Sequence, residues 1–479
     1  MTLIYFMISS TTSMMSRTFK GINKSIMLMA SMLMVIPTTY DWNELDMYYT
    51  TDGMADMFML LTAYTTPLSM MANWNSMKST LYYELVFNLG MILLMNFMCQ
   101  DMLSFYMYFE ASLAPLFMLM GLYGANNREK AADYMLMYTL LSSLFMLMAM
   151  AVYEVLMGNT DYQAVSLLVL SLDLQCILFL GMSMGIMVKT PLVPVHTWLP
   201  VVHSESPLAG SMLLAGVMLK LAVYAMMRLM LPTLSDASTL YTPVVYMVCM
   251  MTIMYTSMMT LRQTDLKVMV AYSSMSHMAV CMLGIMSNNM MGISGSLMLS
   301  MAHGFVSPAL FIMVGGMLYD RYHNRLIYYY QGLLTYMPML AMYLIMLSFC
   351  NMGTPLSVNF MGELLSLAGA LNRVPVLGAL ALMSVLLSAS YMLKVTNRLT
   401  GGIKTPYMSL THDCTFRESV LLMSLIMPTM WYGLYPNGMA NMMWSMPKLL
   451  YMFILLNKEY KGNMRMKRDM RMEKGDMNL

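Results

Sequence analysis

The stretch "MVKTPLVPVHTWLPVVHSESPLAGSMLLAGVMLKLAVYAMMR", Met187 to Arg228, decides what kind of protein this is. It is apolar over the length of two membrane crossings, yet it carries Lys189 and Lys220 inside those apolar runs. A charge at the centre of a bilayer costs about 2.5–3.5 kcal/mol on insertion scales. Its first half also holds Pro191, Pro194 and Pro200. A proline inside a helix removes a backbone hydrogen bond and breaks the ladder, and a broken helix at membrane depth is tolerated only within protein or along a wet cavity. Buried charge beside a broken helix points to ion traffic through a membrane.

Composition extends this reading to the whole chain. Of 479 residues, 59% are hydrophobic and 10% charged, whereas soluble domains are about 25% charged. Methionine occurs 75 times, often where Leu or Ile would be expected. That pattern is codon bias filling lipid-facing positions with a flexible apolar side chain, typical of an organelle genome, so a mitochondrially encoded chain is expected. The start, "MTLIYFMISSTTSMMSRTFKG", lacks the Arg-rich amphipathic shape of an import peptide and reads as a first span. Six scattered cysteines without a C-x-x-C spacing argue against an iron–sulfur cluster or zinc site in this chain. No G-x-G-x-x-G follows a strand signal.

Crossing a bilayer takes about 20 apolar residues. Such stretches number about 14, near 2–16, 25–40, 54–74, 81–99, 102–123, 132–156, 170–200, 206–230, 240–260, 267–286, 290–318, 333–372, 375–397 and 418–437. The last apolar stretch, 443–456, is interrupted by Pro447 and Lys448 and reads as an interfacial helix; residues 458–479 form a polar tail. Odd-numbered connections carry Arg17, Lys20, Lys24, Lys78, Arg128, Lys130, Arg262, Lys267, Arg321, Arg325, Arg398, Lys404 and Arg417. Even-numbered ones carry Asp41, Glu44, Asp46, Asp52, Asp101, Asp161 and Asp236, with only Arg228 and Arg373 for balance. The positive-inside rule places the odd connections in the matrix and the N-terminus on the intermembrane side.

Seven ionisable residues lie within apolar runs: Glu110, Lys189, Lys220, His277, His303, Glu363 and Lys394. Lys394 sits near a helix end, where snorkelling competes with a functional role. The others suit a proton relay better than a structural clamp. A second break is signalled by Gly353 and Pro355 in "NMGTPLSVNFMGE". Lys189 to Glu363 and Lys220 to Lys394 are both 174 residues apart, as two repeats of five helices would give. With an odd number of spans these are inverted in the membrane, a common transporter plan. The expected fold is therefore an all-α polytopic membrane protein of about 14 spans with two inverted five-helix repeats and broken helices. Its parts are N-terminal helices 1–80, repeats 81–230 and 231–400, C-terminal transmembrane and interfacial helices 401–457, and the tail.

With "FYMYFEASLAPLFMLMGLYG" (105–124) and "TDLKVMVAYSSMSHMAV" (264–280), the opening stretch closely resembles the antiporter-like subunits of respiratory complex I, relatives of Mrp-type cation/proton antiporters. The likeness covers roughly residues 80–400, and the methionine richness resembles a fungal mitochondrial version. The resemblance implies proton pumping in the mitochondrial inner membrane, driven by redox chemistry elsewhere. NADH, FMN, iron–sulfur clusters and ubiquinone would sit in partner subunits, with none in this chain. The partners would be other membrane-arm subunits, including neighbouring antiporter-like ones, and phospholipids, with no nucleic acid. By motif, Glu110 and Lys189 would be a coupled acid–base pair, Lys220 the central relay lysine, His277 and His303 its continuation, and Glu363 the terminal exchange residue. His196 and His203 belong to the same motif, with packing as the competing role. Lys394 matches no family residue.

A carboxylate and an ammonium about 4 Å apart at an effective dielectric of about 20 attract by about 4 kcal/mol. Moving one charge against roughly 180 mV also costs about 4 kcal/mol, so such a pair could drive a proton uphill. Two other classes compete: a free-standing Mrp-type sodium/proton antiporter subunit, and a structural subunit with a degenerate relay.

Overall fold

The computed structural model describes residues 52–74, 79–168, 170–409 and 411–443. The expected spans at 2–16 and 25–40, the interfacial stretch and the polar tail lie outside the described residues. Among those described, the chain is helical, with no strand and two isolated bridges, Asp101 with Asp161 and Asp265 with Leu326.

The helices are α1 (Gly53–Ala72), α2 (Thr80–Met98), α3 (Met102–Tyr123), α4 (Arg128–Met157), α5 (Leu172–Lys189), α6 (Trp198–Glu205), α7 (Leu208–Thr233) and α8 (Ser235–Arg262). There follow α9 (Leu266–Met286), α10 (Met290–Tyr322), α11 (Pro338–Asn351), α12 (Val358–Arg373), α13 (Pro375–Thr400), α14 (Phe416–Leu434) and α15 (Pro436–Met443). Nine of the described helices are long and apolar enough to cross a membrane. Each apolar stretch expected from 54–74 onward has a helical counterpart. The stretch expected as one span at 333–372 is instead two half-helices, α11 and α12.

Burial separates the helices into two kinds. α7 and α10 are buried throughout their apolar windows and α9 nearly so, whereas α4 and α13 turn most of theirs outward. Lys220, His277 and His303 sit on this buried set.

The breaks have local causes. At the end of α5, Pro191 and Pro194 cannot donate, and the carbonyl of Val188 is taken instead by the Trp198 indole N–H at 3.0 Å. Between α11 and α12 the chain turns through Gly353 (φ 69°) and Leu356 (φ 84°). A leucine in that region stores about 1–3 kcal/mol of strain. The pair separated by 174 residues does not map break onto break: Lys189 ends the half-helix before its break, whereas Glu363 lies after its own.

Connections join by parity. On one side, Asp52 pairs with Arg228, Asp101 bridges Asp161, and Asn288 Nδ2 donates to Ser238 Oγ at 3.3 Å. On the other, the Asn127 N–H donates to Glu205 Oε2 at 3.0 Å, Arg325 binds the Ser204 carbonyl and faces Asp265 at 3.8 Å, and Arg321 pairs with Glu418 at 2.6 Å. These are the even-numbered and odd-numbered groups of the sequence, each gathered at one end of the bundle.

Candidate functional site: a buried lysine–histidine–glutamate line

Lys220 sits midway along α7, fully buried, between two π-helical turns, Leu214–Met218 and Met226–Met230. π turns often mark functional sites because their wider winding leaves backbone groups free. Here Lys220 Nζ donates to the Ala215 carbonyl, five residues back, at 2.6 Å. The same nitrogen lies 2.8 Å from His303 Nδ1 on α10.

His303 continues the line. Its ring centroid is 5.8 Å from that of His277 on α9, and His277 Nδ1 is 3.0 Å from Glu363 Oε1 on α12. The Glu363 carboxylate lies against the second break: a Cβ added to Gly353 would stand 2.8 Å from Glu363 Oε2. Four helices thus place Lys220, His303, His277 and Glu363 in one buried row. α12 is held there by backbone contact with α10, since a Cβ on Gly362 would meet the Leu299 backbone nitrogen at 2.6 Å, and one on Gly369 would meet Gly292 Cα at 2.5 Å.

The geometry assigns tautomers. If the Lys220 ammonium donates to His303 Nδ1, the neutral His303 proton sits on Nε2; which nitrogen carries it follows from the partner of the other. His277 Nδ1 faces a carboxylate and donates to it, while its buried Nε2 makes no protein hydrogen bond. Each imidazole can therefore take a proton on one nitrogen and release it from the other.

Glu110 and Lys189 do not form the expected contact pair. No ion pair within 4.0 Å joins them; the Lys189 ammonium stands over the Phe109 ring, 3.9 Å from its centroid. Neither Lys189 Nζ nor Glu110 Oε1 has a hydrogen-bond partner. The neighbouring ring takes the charge by cation–π attraction, worth about 2 kcal/mol when desolvated. A cavity of about 10 Å³ lies between Lys189 and the π turn of α7, lined by Thr139, Trp198, Leu214, Met218 and others. That is about one water of room.

The remaining residues divide. His203 is fully buried, both ring nitrogens unpaired, stacked on Phe311 at 4.7 Å. His196 lies edge-on to Tyr255 at 5.1 Å with Nδ1 buried and unpaired. Lys394 is exposed and donates to the Leu261 carbonyl at 2.8 Å, capping the end of α8 away from the buried row. Lys267, which the sequence shows only as a loop charge, is buried and donates to the Ser206 carbonyl at 2.6 Å. Its apolar neighbours in "LKVMVAY" were the available signal.

Broken helices, π turns and a buried titratable row define a proton-translocating helix bundle. Residues 99–400 match the family described as "NADH:quinone oxidoreductase/Mrp antiporter, TM". NADH-ubiquinone oxidoreductase chain 4 of Debaryomyces hansenii is 72% identical over 95% of this chain and 97% of its own length. That of Candida albicans is 71% identical over 97% of this chain and 100% of its own. A chain of respiratory complex I from Thermus thermophilus superposes with a TM-score of 0.86 at 25% identity, covering 94% of this chain and 98% of that one. A chain of the Mrp complex from a Dietzia species shares the fold, with a TM-score of 0.81 at 16% identity over 94% of this chain and 97% of its own. The chain belongs to the NADH:quinone oxidoreductase/Mrp antiporter family, among its NADH-ubiquinone oxidoreductase chain 4 members.

Proposed function

We infer that this chain is a proton-pumping membrane subunit of respiratory complex I, and that the proton moves along Lys220, His303, His277 and Glu363. The observation that carries the route is the buried row itself, with 2.8 Å from Lys220 to His303 and 3.0 Å from His277 to Glu363. Lys220 passes an ammonium proton to His303 Nδ1. His303 releases its Nε2 proton toward the free Nε2 of His277, through a bridging water or a small ring rotation. His277 then releases its Nδ1 proton to the Glu363 carboxylate, which exchanges with water beside the break.

Glu110 and Lys189 act upstream in this reading. Without a direct ion pair, their two charges couple through space beside the Phe109 ring, so a rotation of either side chain changes the field at Lys220. His203, buried against Phe311 and within the field of Lys220, lies on the approach to it, and His196 packs on Tyr255. Lys394 is a helix cap.

The multi-pass chain lies in the mitochondrial inner membrane. The even-numbered group of connections faces the intermembrane side, which puts the N-terminus there, and the full count is 14 spans. The two inverted repeats, 81–230 and 231–400, correspond by their breaks rather than by a fixed residue offset. NADH, FMN, iron–sulfur clusters and ubiquinone are held by partner subunits, and the chain contacts neighbouring antiporter-like subunits and phospholipids.

Lys220→Met tests the route. Removing a costly buried charge while keeping similar volume is well tolerated by folding. The complex should assemble and lose proton transfer through this subunit, read as protons pumped per NADH in reconstituted vesicles. Undiminished pumping would remove Lys220 from the path, and loss of the subunit from the complex would make it structural.

A further inference from the structure

Lys220, Tyr224 and Arg228 follow one another at four-residue steps on α7, and residues so spaced share a helix face. From Lys220 to Arg228 the helix rises about 12 Å. Tyr224 fills the space between them together with Phe58 of α1, Phe97 of α2 and Phe105 of α3, all fully buried. The Tyr224 ring centroid lies 5.3 Å from Phe97, 6.0 Å from Phe105 and 6.1 Å from Phe58, and Phe58 stacks on Phe97 at 5.3 Å. The one hydroxyl in the cluster donates to the Phe97 carbonyl at 3.3 Å. Beyond the rings, Arg228 pairs with Asp52 and stands 5.2 Å from the Tyr162 ring. Its side chain is 17% exposed and that of Asp52 36%, so the guanidinium is the more buried partner of the pair.

A proton on Lys220 therefore meets two unlike surroundings. Toward His303 there is a nitrogen at 2.8 Å. Toward the end of α7 there are four packed rings and then a fixed cation. Apolar constrictions block conduction by excluding water, and a fixed positive charge raises the energy of an approaching proton. We propose that Phe58, Phe97, Phe105 and Tyr224, closed by the Arg228–Asp52 pair, form a plug that seals the direct exit from Lys220 and commits its proton to His303. The plug rests on the reading of Lys220 as a relay residue, and explains why the path runs sideways through three more helices rather than straight out along α7.

The test uses the whole complex in sealed vesicles. Passive proton leak is measured under an imposed membrane potential without NADH, and protons per NADH during turnover. Phe58→Ala and Arg228→Gln should each raise the leak severalfold and lower protons per NADH without slowing NADH oxidation. Arg228→Lys, which keeps the charge, should match wild type. Adding Lys220→Met to a leaking variant should restore tightness. Wild-type leak in both Phe58→Ala and Arg228→Gln overturns the plug, and if Arg228→Gln fails to assemble, Phe58→Ala decides by the same reading. Normal pumping in Lys220→Met alone would instead sink the relay, so the two failures are distinguishable.

Discussion

Single side chains carry the chemistry, and those most legible in the sequence were the ones out of place in lipid. Lys220, His277, His303 and Glu363 stood out because each interrupts an apolar run, and the structure draws these four into one row. What the sequence could not give was contact. Glu110 and Lys189 act on each other without touching, and the ammonium rests instead on the ring of Phe109, the residue beside Glu110 on α3; spacing along the chain shows that both charges are buried, not which group of α3 the lysine meets. Glu363→Ala should stop proton exit, while Glu363→Lys, keeping a titratable group beside the break, should retain partial pumping. Equal proton uptake by the two variants would remove Glu363 from the path. Away from the membrane, burial and then the charge of Asp161 hold the Asp101 carboxyl above the ordinary carboxylate range. A proton held more tightly in the fold than in the unfolded chain stabilises in acid, and that contribution is lost as pH rises through the raised value. Asp161→Asn should therefore raise the thermal midpoint of the complex slightly at neutral pH and leave it unchanged in acid; identical midpoints at pH 7 would mean that the two carboxylates do not interact.

At the scale of helices, apolar length located the spans and proline located the breaks, because both act on the local chain. The packing of α12 on α10 was hidden, since glycines at 292, 362 and 369 have meaning only when two backbones meet. Gly362→Ala should push α12 away from Leu299, with an overpacking cost of about 1–3 kcal/mol, and reduce pumping by displacing Glu363. Gly121→Ala, where nothing lies within 4 Å of the added carbon, should be silent; equal behaviour of the two would show that the interface yields. Asp413 accepts from the Met339 and Leu340 N–H groups at 2.8 and 3.2 Å at the start of α11. Asp413→Ala should cost about 1–2 kcal/mol, seen as a lower melting temperature of the assembled complex with protons per NADH unchanged.

Across the whole molecule, loop charge was the informative signal. The alternation of basic and acidic connections reappears as two separate networks, Asp52–Arg228 with Asp101–Asp161 at one end and Arg321–Glu418 with Arg325–Asp265 at the other. Single cysteines placed at Asn126 and at Asn159 should react with a membrane-impermeant thiol reagent from opposite faces, Asn159→Cys from the intermembrane side of intact mitochondria. Labelling of both from one side would refute the topology.

The backbone-to-backbone seam between α10 and α12 has a consequence for how work reaches the proton. Two helices packed this closely, glycine against backbone at 362 and 369, resist sliding because any shift brings a bulkier neighbour into the seam, so the helix carrying Glu363 acts as a rail and not as a piston. On the proposed route, protons then pass this seam by rings and carboxylates turning in place under a changed field and hydration. Such turns are local and fast, whereas collective helix motions take microseconds to milliseconds. The side chains of this segment can turn while its scaffold stands still.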